Sequence, residues 1–273
     1  MPVQHALYGF TVGTRLLAGR HIREALPYLI KPVNYWRTVE FAQTVAEADF
    51  RSGQRILDIG SPKLLALQLV ESLGVELFAT DIDGYFMEKM DRARRARNLS
   101  ADRLRLEVQD GRQLTYADAS FDRVYSVSVI EHIPDDGDSA CIAEIVRVLK
   151  PGGRAVITVP FWSTSRTEYK NGDFYWASSS RDEEGKGTFY QRRYSEEDLR
   201  RRLVEPAKPA TVRLKYVGER AVAPADREIS DYLPAITGPI QPLLSRLLHV
   251  GPTEDWRTLA KPLCAILTIE KPT

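Results

Sequence analysis

Between residues 55 and 160, short β-branched or aliphatic runs alternate with longer stretches whose apolar residues recur every three or four positions. That is the pattern of strands and helices wound around a parallel sheet. It predicts strands over 55–59, 75–80, 104–108, 123–128 and 155–159. Leu64, Leu65, Leu67 and Leu69 predict a helix over 62–73, and Ile142, Ile145, Val146 and Leu149 predict a second. The second helix ends at Lys150-Pro151-Gly152-Gly153, a stop and turn leading into the next strand. Two further strands, 212–217 and 263–269, are separated by a long Pro-rich segment. The expected fold class is therefore α/β: a doubly wound, Rossmann-like, mostly parallel sheet of about seven strands with helices on both faces.

Two regions lie outside this alternation. Residues 1–50 form an expected helical extension that mixes aromatic and basic residues, among them Tyr28, Tyr35, Trp36 and Arg37. Residues 161–194 form a polar and aromatic insertion with loop-like Ser178-Ser179-Ser180 and Gly185-Lys186-Gly187. Both begin near strand ends, where open parallel sheets bind ligands, which places them as walls or lids of one pocket. The expected organisation is a single domain: extension 1–50, core 51–160, and substrate-side insertions with the last strands over 161–273.

Composition narrows the partners. Lys plus Arg total 38 and Asp plus Glu 37, so the net charge of +1 supplies no global field for nucleic acid or an anionic membrane. Any such partner must be read locally. The run Arg92-Ala93-Arg94-Arg95-Ala96-Arg97 follows Glu88 and Asp91 on one helix and reads as a solvated face, so no nucleic acid is expected. Ile240, Leu243, Leu244, Leu247 and Leu248 form an apolar stripe expected to pack in the core, since Arg246 alone gives little charge for a membrane-surface helix. Cys141 and Cys264 make no disulfide framework and no zinc spacing, which fits a reducing cytoplasm and no metal. No apolar run reaches the roughly 18 residues of a transmembrane segment, and Arg15 interrupts the most apolar N-terminal stretch.

The chemistry concentrates at Ile56-Leu57-Asp58-Ile59-Gly60-Ser61-Pro62, followed by Thr80-Asp81-Ile82-Asp83. A strand, a turn, a helix and a second strand ending in a carboxylate is the geometry that holds an adenosine-containing ligand, the carboxylate accepting the ribose hydroxyls. Ser61 suits a helix cap and Pro62 the first turn, which aims free N–H groups at the site. The GxGxxG pattern is absent, because no glycine follows Gly60 until Gly74. A dinucleotide is thereby disfavoured, and S-adenosylmethionine suits an adenosine site without pyrophosphate.

The chain resembles the class I S-adenosylmethionine-dependent methyltransferases, in particular the small-molecule group related to ubiquinone-biosynthesis methyltransferases. The likeness covers about residues 50 to 160 and rests on four pieces in order: Leu57-Asp58-Ile59-Gly60; Thr80-Asp81-Ile82-Asp83; Val108-Gln109-Asp110-Gly111 with Ser120-Phe121-Asp122; and the stretch from Ser126 to Ile133 leading to Leu149-Lys150-Pro151-Gly152-Gly153. The resemblance implies that Asp58, Gly60 and Ser61 line the methionine moiety and that Asp81 binds the ribose. It also implies that Ile82 lies against adenine, that Asp110 accepts from its amino group, that the backbone at Gly111 and Arg112 flanks the ring, and that Ser126 closes the floor. Where the family has further glycines, this chain has Ser61, Pro62 and Lys63, and Lys63 is expected to pair with the methionine carboxylate.

The acceptor side is read from the extensions. Tyr35, Trp36, Trp162, Tyr190 and Arg193 are expected around a small-molecule or lipid-linked acceptor, with His132 as general base for a hydroxyl; Glu131 reads less well as a base. Arg192 and Arg193 beside Phe189 and Tyr190 suit an acidic or phosphorylated substrate, against the alternative of a solvated lead into a helix capped by Ser195. The expected function is methyl transfer to that acceptor; the competing reading is a catalytically silent binding protein of the same fold, with a homodimer as the oligomer entertained.

Overall fold

The computed structural model describes residues 2–60, 64–170, 187–220, 229, 233 and 235–273. Three helices lead the chain, α1 (Pro2–Ala18), α2 (Ile22–Ile30) and α3 (Tyr35–Ala48). The core follows as β1 (Arg55–Ile59), α4 (Leu64–Leu73), β2 (Glu76–Asp81), α5 (Gly84–Ala96), β3 (Leu104–Val108), β4 (Phe121–Val127), α6 (Gly137–Val148) and β5 (Leu149–Pro160). The rest comprises β6 (Arg166–Lys170), β7 (Thr188–Arg193), α7 (Glu196–Leu199), β8 (Thr211–Glu219), α8 (Gln241–Leu248), β9 (His249–Thr253) and β10 (Lys261–Glu270). Side-chain caps start three helices: Asn34 Oδ1 accepts from Arg37 N at 2.7 Å, Asp83 Oδ1 from Tyr85 N at 2.9 Å, and Ser195 Oγ, the cap expected from the sequence, from Asp198 N at 3.2 Å.

The main sheet has eight strands in the order β3-β2-β1-β4-β5-β10-β8-β9. The first five run parallel, and β10, β8 and β9 then pair antiparallel. Successive residues of each strand face opposite layers. Ile56, Leu77 and Tyr125 pack with α1, α4 and α5, whereas Leu57, Val124 and Ile157 pack with α6 and the segment after α7. Helices thus cover both faces. A separate two-stranded ribbon pairs β6 with β7.

Three differences from the expected elements have physical causes. The eighth strand, β9, lies in the segment read as a connection; its Gly251-Pro252 breaks the alternation, which an edge strand tolerates. The ribbon β6–β7 lies in the insertion read as loop. Lys150-Pro151-Gly152-Gly153 is not a turn between elements but a bulge within β5, where Leu149 pairs with Phe121 and Arg154 with Arg123.

The stripe expected to pack in the core does not. In α8 the buried residues are Gln241, Pro242 and Ser245, while Leu243 and Leu247 are exposed, as is Ile240 just before it. Gln241 Oε1 accepts from Tyr35 N at 3.1 Å, so polar bonds set the helix's rotation. The arginine run is engaged with acids: Arg94 and Arg95 with Asp91, Arg92 with Glu24 and Arg97 with Glu71. Ser61, Pro62 and Lys63, like Ser178-Ser179-Ser180, lie outside the described residues.

Candidate active site

The strand order turns back between β1 and β4, which makes their carboxyl ends the switch-point crevice where open α/β sheets hold ligands. Gly60 follows β1 with φ +82°, and a Cβ built there would lie 2.1 Å from Val129 Cγ1. Only a glycine lets the two chain segments approach so closely. A cavity of about 280 Å³ opens there, lined by Gly60, Asp81, Ile82, Asp110, Arg112 and His132 together with residues that include Thr80, Phe86, Gln109 and Ile133.

Asp81 ends β2 nearly buried; its Oδ1 accepts from Asp83 N at 2.9 Å, which turns the carboxylate at the strand end toward the cavity. Asp110 is gripped by Arg112 through Nε at 3.0 Å and Nη2 at 2.7 Å, and also accepts the Arg112 backbone N–H at 2.9 Å. These hydrogen bonds hold its carboxyl below the usual range. Arg112 Nε also donates to the second carboxylate oxygen at 3.1 Å, so Arg112 engages both oxygens of Asp110. Ile82, Phe86 and Ile133 supply the apolar surface that a flat base requires.

Other expected cofactor residues stand behind this wall. Asp58 is buried, with Oδ2 accepting from Tyr125 OH at 2.9 Å, and Ser126 Oγ donates to Ile59 O at 2.9 Å. Neither lines the cavity; both brace the end of β1. Gly111 lies against Cys141 Sγ and Ile59, where a Cβ would meet atoms at 3.1 and 3.3 Å. Burial pushes the Cys141 thiol up to about 12, so it is inert packing.

A second cavity of about 340 Å³ adjoins the first, and Arg37, Ser128, His132 and Tyr190 line both. Trp36, Glu40, Glu131, Glu168, Lys170 and Arg193 also border it. Its charges are largely matched. Arg193 Nε donates to Glu168 Oε1 at 2.7 Å; burial pushes the Glu168 carboxyl up, but Arg193 and Gln191 outweigh it and leave it below its usual range. Two expected acceptor contacts lie outside both linings: Tyr35 is buried against Trp36 and His249, and Trp162 lies under the Arg193 guanidinium, 4.5 Å from ring centre to cation. Arg192 donates to Ile133 O and Asp135 O, which ties the β6–β7 ribbon to the crevice rim.

His132 sits at the meeting point, on a short 3-10 turn, Ile130–His132. Its Nδ1 lies 2.7 Å from Tyr190 O; because a carbonyl only accepts, Nδ1 carries the proton and Nε2 the lone pair. Nε2 is 3.7 Å from Glu131 Oε1, a carboxylate placed to stabilise a protonated ring.

The sequence reading missed Arg37 and Glu40 as parts of the site. Glu40, buried on α3, accepts from Arg37 Nη1, from Ser128 Oγ and from Thr158 Oγ1, the last at 3.0 Å. Ser128 has φ +47°, a left-handed conformation uncommon outside glycine, and its N–H donates to Thr158 O at 3.0 Å. Glu40 therefore joins the N-terminal extension to the ends of β4 and β5. Burial lowers the Arg37 guanidinium value, yet Glu40 and Glu131 outweigh it and keep the group charged.

Among the described residues there is no cluster that could hold a metal ion and no helix long and apolar enough to cross a membrane. A family model for a methyltransferase domain matches residues 57–157. The methyltransferase GfsG of Streptomyces halstedii is 30% identical over 116 residues, 42% of this chain and 41% of that protein. The 27-O-demethylrifamycin SV methyltransferase of Amycolatopsis mediterranei is 35% identical over 109 residues, 39% of each. The chain thus spans about two fifths of the length of these curated relatives. Among solved structures, the [4+2]-cyclase SpnF superposes with a TM-score of 0.55 at 19% identity, over 87% of this chain and 83% of that one, a likeness of fold alone. The matched span runs from the β1 carboxylate through the second and third strand ends to β5, so the part of the chain that resembles a methyltransferase domain is the part that builds the switch-point crevice.

Proposed function

We propose that the protein transfers a methyl group from S-adenosylmethionine to a small-molecule or lipid-linked acceptor, with the cofactor in the switch-point cavity and the acceptor in its neighbour. The observation that carries this reading is the shared wall: two cavities meet at His132, Ser128, Arg37 and Tyr190, so a donor and an acceptor in them face one another across one histidine. Asp81 suits the ribose hydroxyls, Asp110 on the cavity wall suits the adenine amino group, and Arg37 carries the charge expected of a carboxylate partner.

When bound, the cofactor supplies a sulfonium methyl group that is already electrophilic. The chain's task is to align the acceptor atom, exclude water and remove a proton where the acceptor is a hydroxyl. His132 Nε2 takes that proton, Tyr190 O holds the ring through Nδ1–H, and Glu131 stabilises the resulting charge. Trp36 offers an aromatic wall, and the Arg193–Glu168 pair offers polar groups for an acceptor's oxygens.

The two cysteines are buried free thiols, which supports a cytoplasmic location, and the engagement of the arginine run with acids supports the absence of nucleic acid as a partner. Calorimetric titration with S-adenosylhomocysteine tests the cofactor site. We expect micromolar binding that Asp81→Asn weakens by at least about tenfold, the loss of a charge-assisted hydrogen bond to a sugar hydroxyl. Absence of heat from the intact protein at millimolar ligand would overturn the reading.

A further inference from the structure

Two helices present large apolar side chains to the outside, although α2 also packs Tyr28 and Leu29 on the core and α8 half-buries Leu244 and Leu248. On α8 the residues turned inward are Gln241, Pro242 and Ser245, and on α2 the only fully buried residue is Ala25. The large apolar side chains Ile22, Leu26 and Ile30 of α2, and Ile240, Leu243 and Leu247 at α8, are instead 45% to 57% exposed. Rotation of α8 to bury them is opposed by its inward polar bond to α3, in which Gln241 Oε1 accepts from Tyr35 N at 3.1 Å. The two faces lie on neighbouring elements, because the 3-10 turn leading into α8 packs against the end of α2; a Cβ at Gly238 would lie 2.2 Å from Ile30 O.

The charge around this surface is one-sided. Residues 1–36 hold Arg15, Arg20, Arg23 and Lys31 against a single acid, Glu24, which is paired with Arg92 of α5 at 3.0 Å. Residues 235–250 add Arg246 and no acid. Arg15, Arg20, Arg23, Lys31 and Arg246 are all exposed. With Arg37 paired to Glu40 and Arg15 near Glu71, Arg20, Arg23, Lys31 and Arg246 leave a net positive rim around the exposed aliphatic residues.

We propose that this α1–α2–α8 surface docks on an anionic lipid bilayer, with the aliphatic side chains entering the interface and the arginines and lysine meeting acidic headgroups. Apolar area and basic charge add in such binding. A second copy of the chain is disfavoured as occupant, since it would bring an equal positive rim against the first. The surface borders the acceptor cavity: His249, the residue after α8, packs on Trp36 with ring centres 4.6 Å apart, and Trp36 lines that cavity. A lipid-linked acceptor held in the bilayer would present its polar end there. That last step rests on the methyltransfer reading; the docking surface does not.

Vesicle co-sedimentation of the full chain tests the proposal. We expect little binding to pure phosphatidylcholine and clear binding when about 30% phosphatidylglycerol is included, falling as salt rises from about 50 to 500 mM. Leu243→Ser/Leu247→Ser and, separately, Arg20→Glu/Arg23→Glu should each weaken it by at least about tenfold while leaving S-adenosylhomocysteine binding unchanged. No binding to the anionic vesicles, or binding that neither variant alters, overturns it. So does a dimer in light scattering that the leucine variant dissociates. Intact cofactor binding with no vesicle binding would sink the docking surface alone, and the converse would sink the methyltransfer reading alone.

Discussion

A methyl group added at Gly60 would lie 2.1 Å from Val129 Cγ1, on a backbone whose φ of +82° already disfavours a side chain. Gly60→Ala is therefore expected to cost about 2–4 kcal/mol in denaturant unfolding, from overpacking and left-handed strain together. Adding Val129→Ala should restore the packing part and leave the backbone part; no recovery in the double variant would mean that the contact is not the cause. His132 bears on rate rather than on stability. His132→Gln should lower kcat for a hydroxyl acceptor by about 10²–10⁴ and flatten the acid limb of the pH–rate profile, with cofactor affinity retained. An unchanged kcat would leave His132 as packing for the β7 backbone. That Asp81, Asp110 and His132 line the switch-point cavity was legible in the sequence, because each lies at a strand end or within a few residues after one. Arg37 and Glu40 were not, since Glu40 and Ser128 lie 88 positions apart and only the fold joins them.

At the scale of elements, the alternation of buried residues placed β1 to β5 and both flanking helices, and it failed where polar bonds override apolar spacing. The clearest case is α8, whose leucine stripe reads as core while Gln241 and Ser245 supply the inward contacts. Just beyond it, His249 packs on Tyr35 and Trp36, and burial lowers its value from 6.5 to about 4. Neutral when folded and protonatable once unfolded, this ring gives stability that is complete above the ordinary histidine value and is lost as pH falls from about 6.5 toward about 4. His5, lowered in the same direction chiefly by burial, adds to the trend. Thermal melts across that window should show Tm falling with acid, with a shallower slope in His249→Phe, which keeps a ring without a titratable nitrogen. Parallel slopes in the two proteins would remove His249 as the cause.

For the whole molecule, the N-terminal helices and the β6–β7 ribbon both reach the crevice, Arg37 of α3 and Tyr190 of β7 lining both cavities. Glu40 of α3 holds Ser128 and Arg37, and Tyr190 of β7 holds His132, so the wall between the cavities joins Ser128 and His132 of the matched span to Arg37 and Tyr190 outside it. The core alone supplies the ends of β1, β2 and β4; the additions decide what meets them. This is why the cofactor side could be read from motifs, whereas Tyr35 and Trp162, placed by aromatic character alone, proved to support the lining rather than form it. A crystal structure with S-adenosylhomocysteine examines the arrangement at its joint. The ribose hydroxyls should bond Asp81, the adenine should lie against Ile82 and Phe86, and the sulfur should face the opening between Ser128 and His132. Density for the nucleoside elsewhere, or a sulfur turned away from the second cavity, would contradict it.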